Sequence, residues 1–136
     1  MNFPTAIKTC YGKYATFSGR ASRSEYWFFL LFLYVAIFAL AIVSAVFSGP
    51  DIGTESSPGG SAAIGLVGVL AMIMLLGSFL PLLAVSVRRI HDTGASGWWV
   101  LLWTIGLVSL IWACIPGQPG NNRFGPDPLA KGPTPT

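Results

Sequence analysis

Charged residues are scarce in this chain: Asp, Glu, Lys and Arg make up 10% of its 136 residues, whereas 53% are hydrophobic. A soluble domain carries roughly 25% charged residues, so an ordinary water-facing surface is excluded and a membrane protein is indicated. The length suits one domain. Histidine occurs once, and the two cysteines, Cys10 and Cys114, lie far apart. They form neither a metal-ligand spacing nor a disulfide framework, and no cofactor is expected. The net charge of +3 comes from basic residues at the ends of apolar runs. That placement fits membrane orientation, and nucleic acid is not an expected partner.

Three runs contain no charge at all, at about 26–47, 62–87 and 98–115. A helix needs about 20 apolar residues to cross the hydrocarbon core, within a range of roughly 17–25. The first run fits, and its length marks it as a retained span rather than a cleaved signal core of about 7–15 residues. The second is long enough to tilt, with Pro81 as a site for a kink. The third is short, which leaves a half-inserted hairpin as the alternative to a crossing. The expected fold is an all-α membrane protein: three transmembrane helices preceded by a short amphipathic interfacial helix. Residues 1–128 read as one integral-membrane domain and 129–136 as a disordered tail.

Basic residues orient the spans. Lys8, Lys13, Arg20 and Arg23 precede the first, and Arg88 and Arg89 follow the second. The loop between them holds Asp51 and Glu55 and no basic residue, while Arg123 and Lys131 follow the third run. With three crossings, six basic residues share a side with the amino terminus against two opposite. The positive-inside rule places the amino terminus in the cytoplasm and the carboxyl terminus outside.

Phe3, Ala6, Ile7, Cys10, Tyr11 and Tyr14 recur at spacings of three and four, which marks one helical face. Pro4 suits a first helical turn. Such a helix either lies on the cytoplasmic leaflet or packs on the protein itself. In "FSGRASRSEYW", Ser22 and Glu25 have capping-box spacing before the first span, so Glu25 reads as a cap. Tyr26 and Trp27 fall at headgroup depth, where aromatic belts form.

"RRIHDTGASGWW", residues 88–99, concentrates the polar chemistry. Its centre, Asp92 to Gly97, is turn chemistry, with Ser96 as an N-cap and Trp98 and Trp99 as interface anchors. Arg88, Arg89, His91 and Asp92 then crowd the same interface as Arg20, Arg23 and Glu25. An internal ion-pair network is one reading of this cluster. An anionic headgroup site held by Arg88 and Arg89, with His91 at its rim, is another. Catalysis is disfavoured, because His91 and Asp92 are adjacent and no nucleophile stands out.

Small residues line faces suited to helix packing: Ala41 and Ala45, Gly65 and Gly68, and Gly106, Ser109 and Ala113. None of the spans holds an ionisable residue, which argues against a proton-coupled transporter acting alone. The 48–62 loop is Gly/Ser/Pro-rich and expected to be mobile. In "NNRFGPDP", Arg123 and Asp127 are placed to pair, and Phe124 to dip into the membrane surface.

The three motifs "FSGRASRSEYW", "RRIHDTGASGWW" and "PGQPGNNRFGPDP", in this order around apolar runs, resemble the bacterial YhaH-type inner-membrane proteins, domain-of-unknown-function family 805. The resemblance covers about residues 8 to 128 and implies a small multi-pass inner-membrane protein with no assigned activity. Expected partners are the bilayer, including anionic phospholipid, and a second copy or another membrane protein. The expected function is non-enzymatic binding of anionic lipid or a partner through a basic cytoplasmic face. The alternative is a transporter, or a subunit of one, acting as an oligomer.

Overall fold

The computed structural model describes residues 2–48, 58–104 and 107–130. They form helices α1 (Phe3–Gly12), α2 (Arg23–Ser48) and α3 (Pro58–Asp92), a 3-10 helix (Gly97–Thr104) and α4 (Leu107–Cys114). No strand occurs among them; Asn122 and Gly125 form an isolated bridge. Most of the 48–62 loop, Gly106 and the end of the tail lie outside the described residues.

Asn2 starts α1 by accepting the Thr5 N–H at 3.1 Å, with Pro4 in the first turn. The Pro nitrogen has no hydrogen to leave unsatisfied there. Ala6 and Cys10, one turn apart, are fully buried. The Phe3 and Tyr11 rings meet Phe28 and Phe29 of α2 edge-on, at 5.9 and 5.5 Å between centroids. This helix therefore packs on the protein through its small face.

Arg23–Val46 and Ile64–Asp92, with mean hydropathy of 2.8 and 2.5, are long and apolar enough to cross a membrane. At about 1.5 Å per residue both exceed the roughly 30 Å hydrocarbon core. Only 11% of each span's most apolar window is buried. A core helix of a soluble protein would hide most of that surface. α3 runs through Pro81 as one helix.

The chain forms two compact units. One comprises Met1–Leu30 with Leu80–Thr136, and the other Leu31–Phe79. In the second, side chains are mostly exposed, and a Cβ added at Gly65 or Gly68 would meet nothing within 4 Å. The small face expected to pack there is open.

The first unit holds the polar chemistry and differs from the sequence reading. The third apolar run is not a single described helix. It comprises an eight-residue 3-10 helix and the eight-residue α4, about 16 and 12 Å long. The Trp99 and Trp112 rings lie 5.5 Å apart, whereas thirteen residues of straight helix would separate them by about 20 Å. Trp99 and Trp112 therefore do not lie on one straight helix. The tail after α4 meets the loop after α3: the Gln118 N–H donates to the Asp92 carbonyl at 2.8 Å, and Asn122 Nδ2 to the His91 carbonyl at 3.0 Å. The third run is thus described as two short helices rather than the single helix expected, and the tail after it contacts the end of α3. The cause is electrostatic. Guanidinium groups carry five donors each, and the two nearby carboxylates do not satisfy three of them. Tail carbonyls take further donors of Arg20 and Arg89.

Candidate functional site

Each turn of "RRIHDTGASGWW" has a local cause. α3 ends at Asp92, where the Thr93 and Gly94 N–H groups donate to the carbonyls of Ile90 and His91. Gly94 has φ of +80°, a left-handed conformation that favours glycine. Gly97 permits close approach, because a Cβ there would lie 2.9 Å from both Val87 Cγ1 and His91 Nε2. A side chain on Gly117 would collide with the Asp92 carboxylate. The loop and the tail are thus shaped around Asp92.

Asp92 is 2% exposed and holds two arginines. Arg20 Nε donates to its Oδ1 at 2.8 Å, and Arg89 Nη1 donates to its Oδ2. Further donors reach backbone: Arg20 bonds the carbonyls of Gly120 and Gln118, and Arg89 that of Ile115, while Arg89 Nε is buried without a hydrogen-bond partner. The Ala21 N–H donates to the Arg88 carbonyl at 3.0 Å. Arg20, Asp92 and Arg89 together join the segment before α2, the end of α3 and the tail.

A second pair lies beneath α1. Arg88, fully buried, donates from Nη1 to Glu25 Oε1 at 2.7 Å. The Cys10 thiol lies 3.9 Å from the same oxygen. Burial first, then the Glu25 carboxylate, push this thiol up to about 12, so it stays protonated and unreactive near neutrality. Glu25 is thus the counter-ion of Arg88, and the expected capping box is only half formed. The Glu25 N–H donates to Ser22 Oγ at 3.3 Å, while its carboxylate is drawn to the guanidinium.

The structure brings Arg20, Glu25, Arg88, Arg89 and Asp92 together as buried ion pairs. Arg23 is exposed and makes no ion pair among the described residues. His91 stacks on Phe124 with centroids 4.0 Å apart, and its Nδ1 lies 3.3 Å from the Gly19 carbonyl. Its ring therefore does not orient Asp92, and Phe124 covers one face of it. Arg123 donates to the Gly94 carbonyl at 3.2 Å. Asp127 accepts the Leu129 and Gly120 N–H groups, which, Leu129 foremost, hold its carboxyl below the usual range. The expected Arg123–Asp127 pair is absent among the described ion pairs. Of the anchors, Trp27, Trp98 and Trp99 are exposed, while Tyr26 is 2% exposed and lies inside the protein. Sequence reasoning missed Cys10 and the carbonyls of Ile115, Gln118 and Gly120. The one available signal was the small Ala6/Cys10 pair, which allows α1 to sit close over Glu25. No group of three or more His, Cys, Asp or Glu able to hold a metal occurs among the described residues.

Comparison with known proteins agrees with the motif resemblance. The model of the DUF805 family, described as proteins of unknown function, matches residues 14–126. Inner membrane protein YhaH of Escherichia coli K12 is 39% identical over 119 residues, 85% of this chain and 88% of that protein. Inner membrane protein YhaI of the same strain is 37% identical over 119 residues, 85% of this chain and 87% of that one. No solved structure matches. Two apolar helices able to span a bilayer, three motifs in order and a family match across most of the length lead to one conclusion: the chain belongs to the DUF805 family of bacterial inner-membrane proteins.

Proposed function

We propose that this is a non-enzymatic protein of the bacterial inner membrane that crosses the bilayer twice, keeps both termini in the cytoplasm and binds anionic headgroups through its amino-terminal cations. One observation carries the reading: Arg20, Arg88 and Arg89 are consumed inside the protein, and in being consumed Arg20 and Arg89 clasp the tail to the amino-terminal side. With the tail there, all eight Lys and Arg residues fall on one side and the acidic 48–62 loop on the other. That distribution follows the positive-inside rule more strictly than three crossings do. The headgroup role passes from Arg88 and Arg89 to Lys8, Lys13 and Arg23, which are exposed. The exposed aromatic side chains Phe3, Tyr11, Tyr14 and Phe17 accompany them. Lysines and aromatic rings along one segment suit a helix seated at the headgroup layer.

Cysteine accessibility in intact cells tests the topology. In a Cys114→Ser background, with the buried Cys10 left in place, Glu55→Cys labels from outside, whereas Ala95→Cys and Ala130→Cys label only after permeabilisation. Labelling of position 130 together with 55 would restore the third crossing and end this reading.

Native mass spectrometry tests the lipid contact. Each basic residue near an anionic surface contributes about 1 kcal/mol. The Lys8→Gln, Lys13→Gln, Arg23→Gln variant therefore retains anionic lipid about 100-fold more weakly, with zwitterionic lipid unaffected. Unchanged retention by the folded variant sinks the proposed contact.

A further inference from the structure

Arg88 is fully buried near the end of α3, and only part of its guanidinium is engaged. Nη1 donates to Glu25 Oε1 at 2.7 Å, whereas Nε and Nη2, both buried, have no hydrogen-bond partner. These two nitrogens form the side edge of the group, where an Nε–H and an Nη2–H run parallel. A buried donor left without an acceptor is costly, more so when it is charged. The nearby acids do not answer it. Glu25 already takes Nη1, Asp92 is shared by Arg20 and Arg89, and Asp127 is held by the Leu129 and Gly120 N–H groups. Among the described residues, three buried arginines, Arg20, Arg88 and Arg89, thus face two buried acids, Glu25 and Asp92. The cluster carries a surplus positive charge as well as unpartnered donors.

A surplus charge and a parallel pair of donors call for the same thing, an anion with two acceptor oxygens. Parallel N–H bonds match the oxygens of a carboxylate or a phosphate bidentately. We propose that the side edge of Arg88 binds a phosphate-type oxyanion, supplied by a lipid headgroup or by free phosphate. Arg88 lies near the end of the Ile64–Asp92 span, which places it at the level of the headgroup phosphates. The choice of phosphate over carboxylate rests on α3 crossing the bilayer, as read above. The site is distinct from the exposed cations Lys8, Lys13 and Arg23. It is closed by α1, whose Cys10 thiol lies 3.9 Å from the Glu25 oxygen that Arg88 holds. The buried residues of α1 are the small Ala6 and Cys10, so this helix is the cover that moves. An oxyanion reaches Arg88 when α1 shifts, and the same shift uncovers Cys10.

The test uses the full chain in detergent micelles and two probes, inorganic phosphate and phosphatidylglycerol. At least one raises the unfolding midpoint above that in sodium chloride of equal ionic strength, as a ligand of the folded state does. Arg88→Lys keeps a cation for Glu25 but lacks the parallel edge, and it binds that probe about ten- to hundred-fold more weakly. A second measurement leaves Arg88 intact. In Cys114→Ser protein the same probe speeds maleimide labelling of Cys10, whereas phosphatidylcholine does not. A response to phosphatidylglycerol alone assigns the oxyanion to a lipid, and a response to inorganic phosphate assigns it to a soluble ion; either upholds the site. A response to neither probe, one matched by chloride, or undiminished binding by folded Arg88→Lys would overturn it. So would Cys10 labelling indifferent to the bound probe, or loss of the phosphate response in the Lys8→Gln, Lys13→Gln, Arg23→Gln variant. Inorganic phosphate acts without a bilayer, so its failure strikes the site alone, while the labelling of positions 55, 95 and 130 judges the span reading separately.

Discussion

Asp92→Asn destabilises the folded protein by roughly 3–5 kcal/mol and releases the tail. Asp92 is the shared counter-ion of Arg20 and Arg89, and all three side chains are at most 3% exposed. The amide keeps the shape and one acceptor oxygen but removes the charge. Two buried guanidinium groups are then left with one amide oxygen and backbone carbonyls but no counter-charge, and breaking a buried pair costs more than the pair itself contributes. The tail is the part that responds, because its attachment runs through Arg20, Arg89 and the Asp92 carbonyl. Unfolding in mixed micelles reads the stability, and limited proteolysis between residues 116 and 130 reads the tail. Unchanged stability with a protected tail would remove Asp92 from the centre of the network.

Glu25→Gln costs a similar roughly 3–5 kcal/mol. A capping role predicts a mild effect, since Gln also serves in a capping box. The structure predicts the opposite, because Arg88 Nη1 donates to Glu25 Oε1 at 2.7 Å and both side chains are buried. Arg88 is already short of acceptors: its Nε and Nη2 are buried without hydrogen-bond partners. Losing Glu25 leaves that cation unpaired. Arg88→Met, added to Glu25→Gln, therefore recovers most of the loss, because replacing a buried pair by well-packed apolar side chains is often neutral or stabilising. The double-mutant cycle measures this coupling. Simple addition of the two single losses would show that Glu25 and Arg88 stabilise the protein separately.

Much of the molecule was legible in the linear order of residues. The first two apolar runs became α2 and α3, because length and hydropathy suffice to specify a spanning helix. Pro4 took its place in the first turn of α1, Ser22 began α2, and Gly94 ended α3 in a left-handed turn. Each of these is a contact between near neighbours, which local chemistry dictates.

The tertiary structure decided the rest. Composition cannot distinguish eighteen apolar residues in one straight helix from eighteen in two short ones; the contact between Trp99 and Trp112 can. Nor does sequence say where a guanidinium spends five donors. Ser22 and Glu25 specified a capping box by spacing, yet the carboxylate went to Arg88, sixty-three residues away, because a buried cation attracts it more strongly than a backbone N–H does. Tyr26 was expected at the interface and lies inside for the same kind of reason: α1 covers the start of α2. Partner choice among buried charges depends on which segments arrive at the same place. Here the segment before α2, the end of α3 and the tail meet around two acids, and only the folded chain shows that they do.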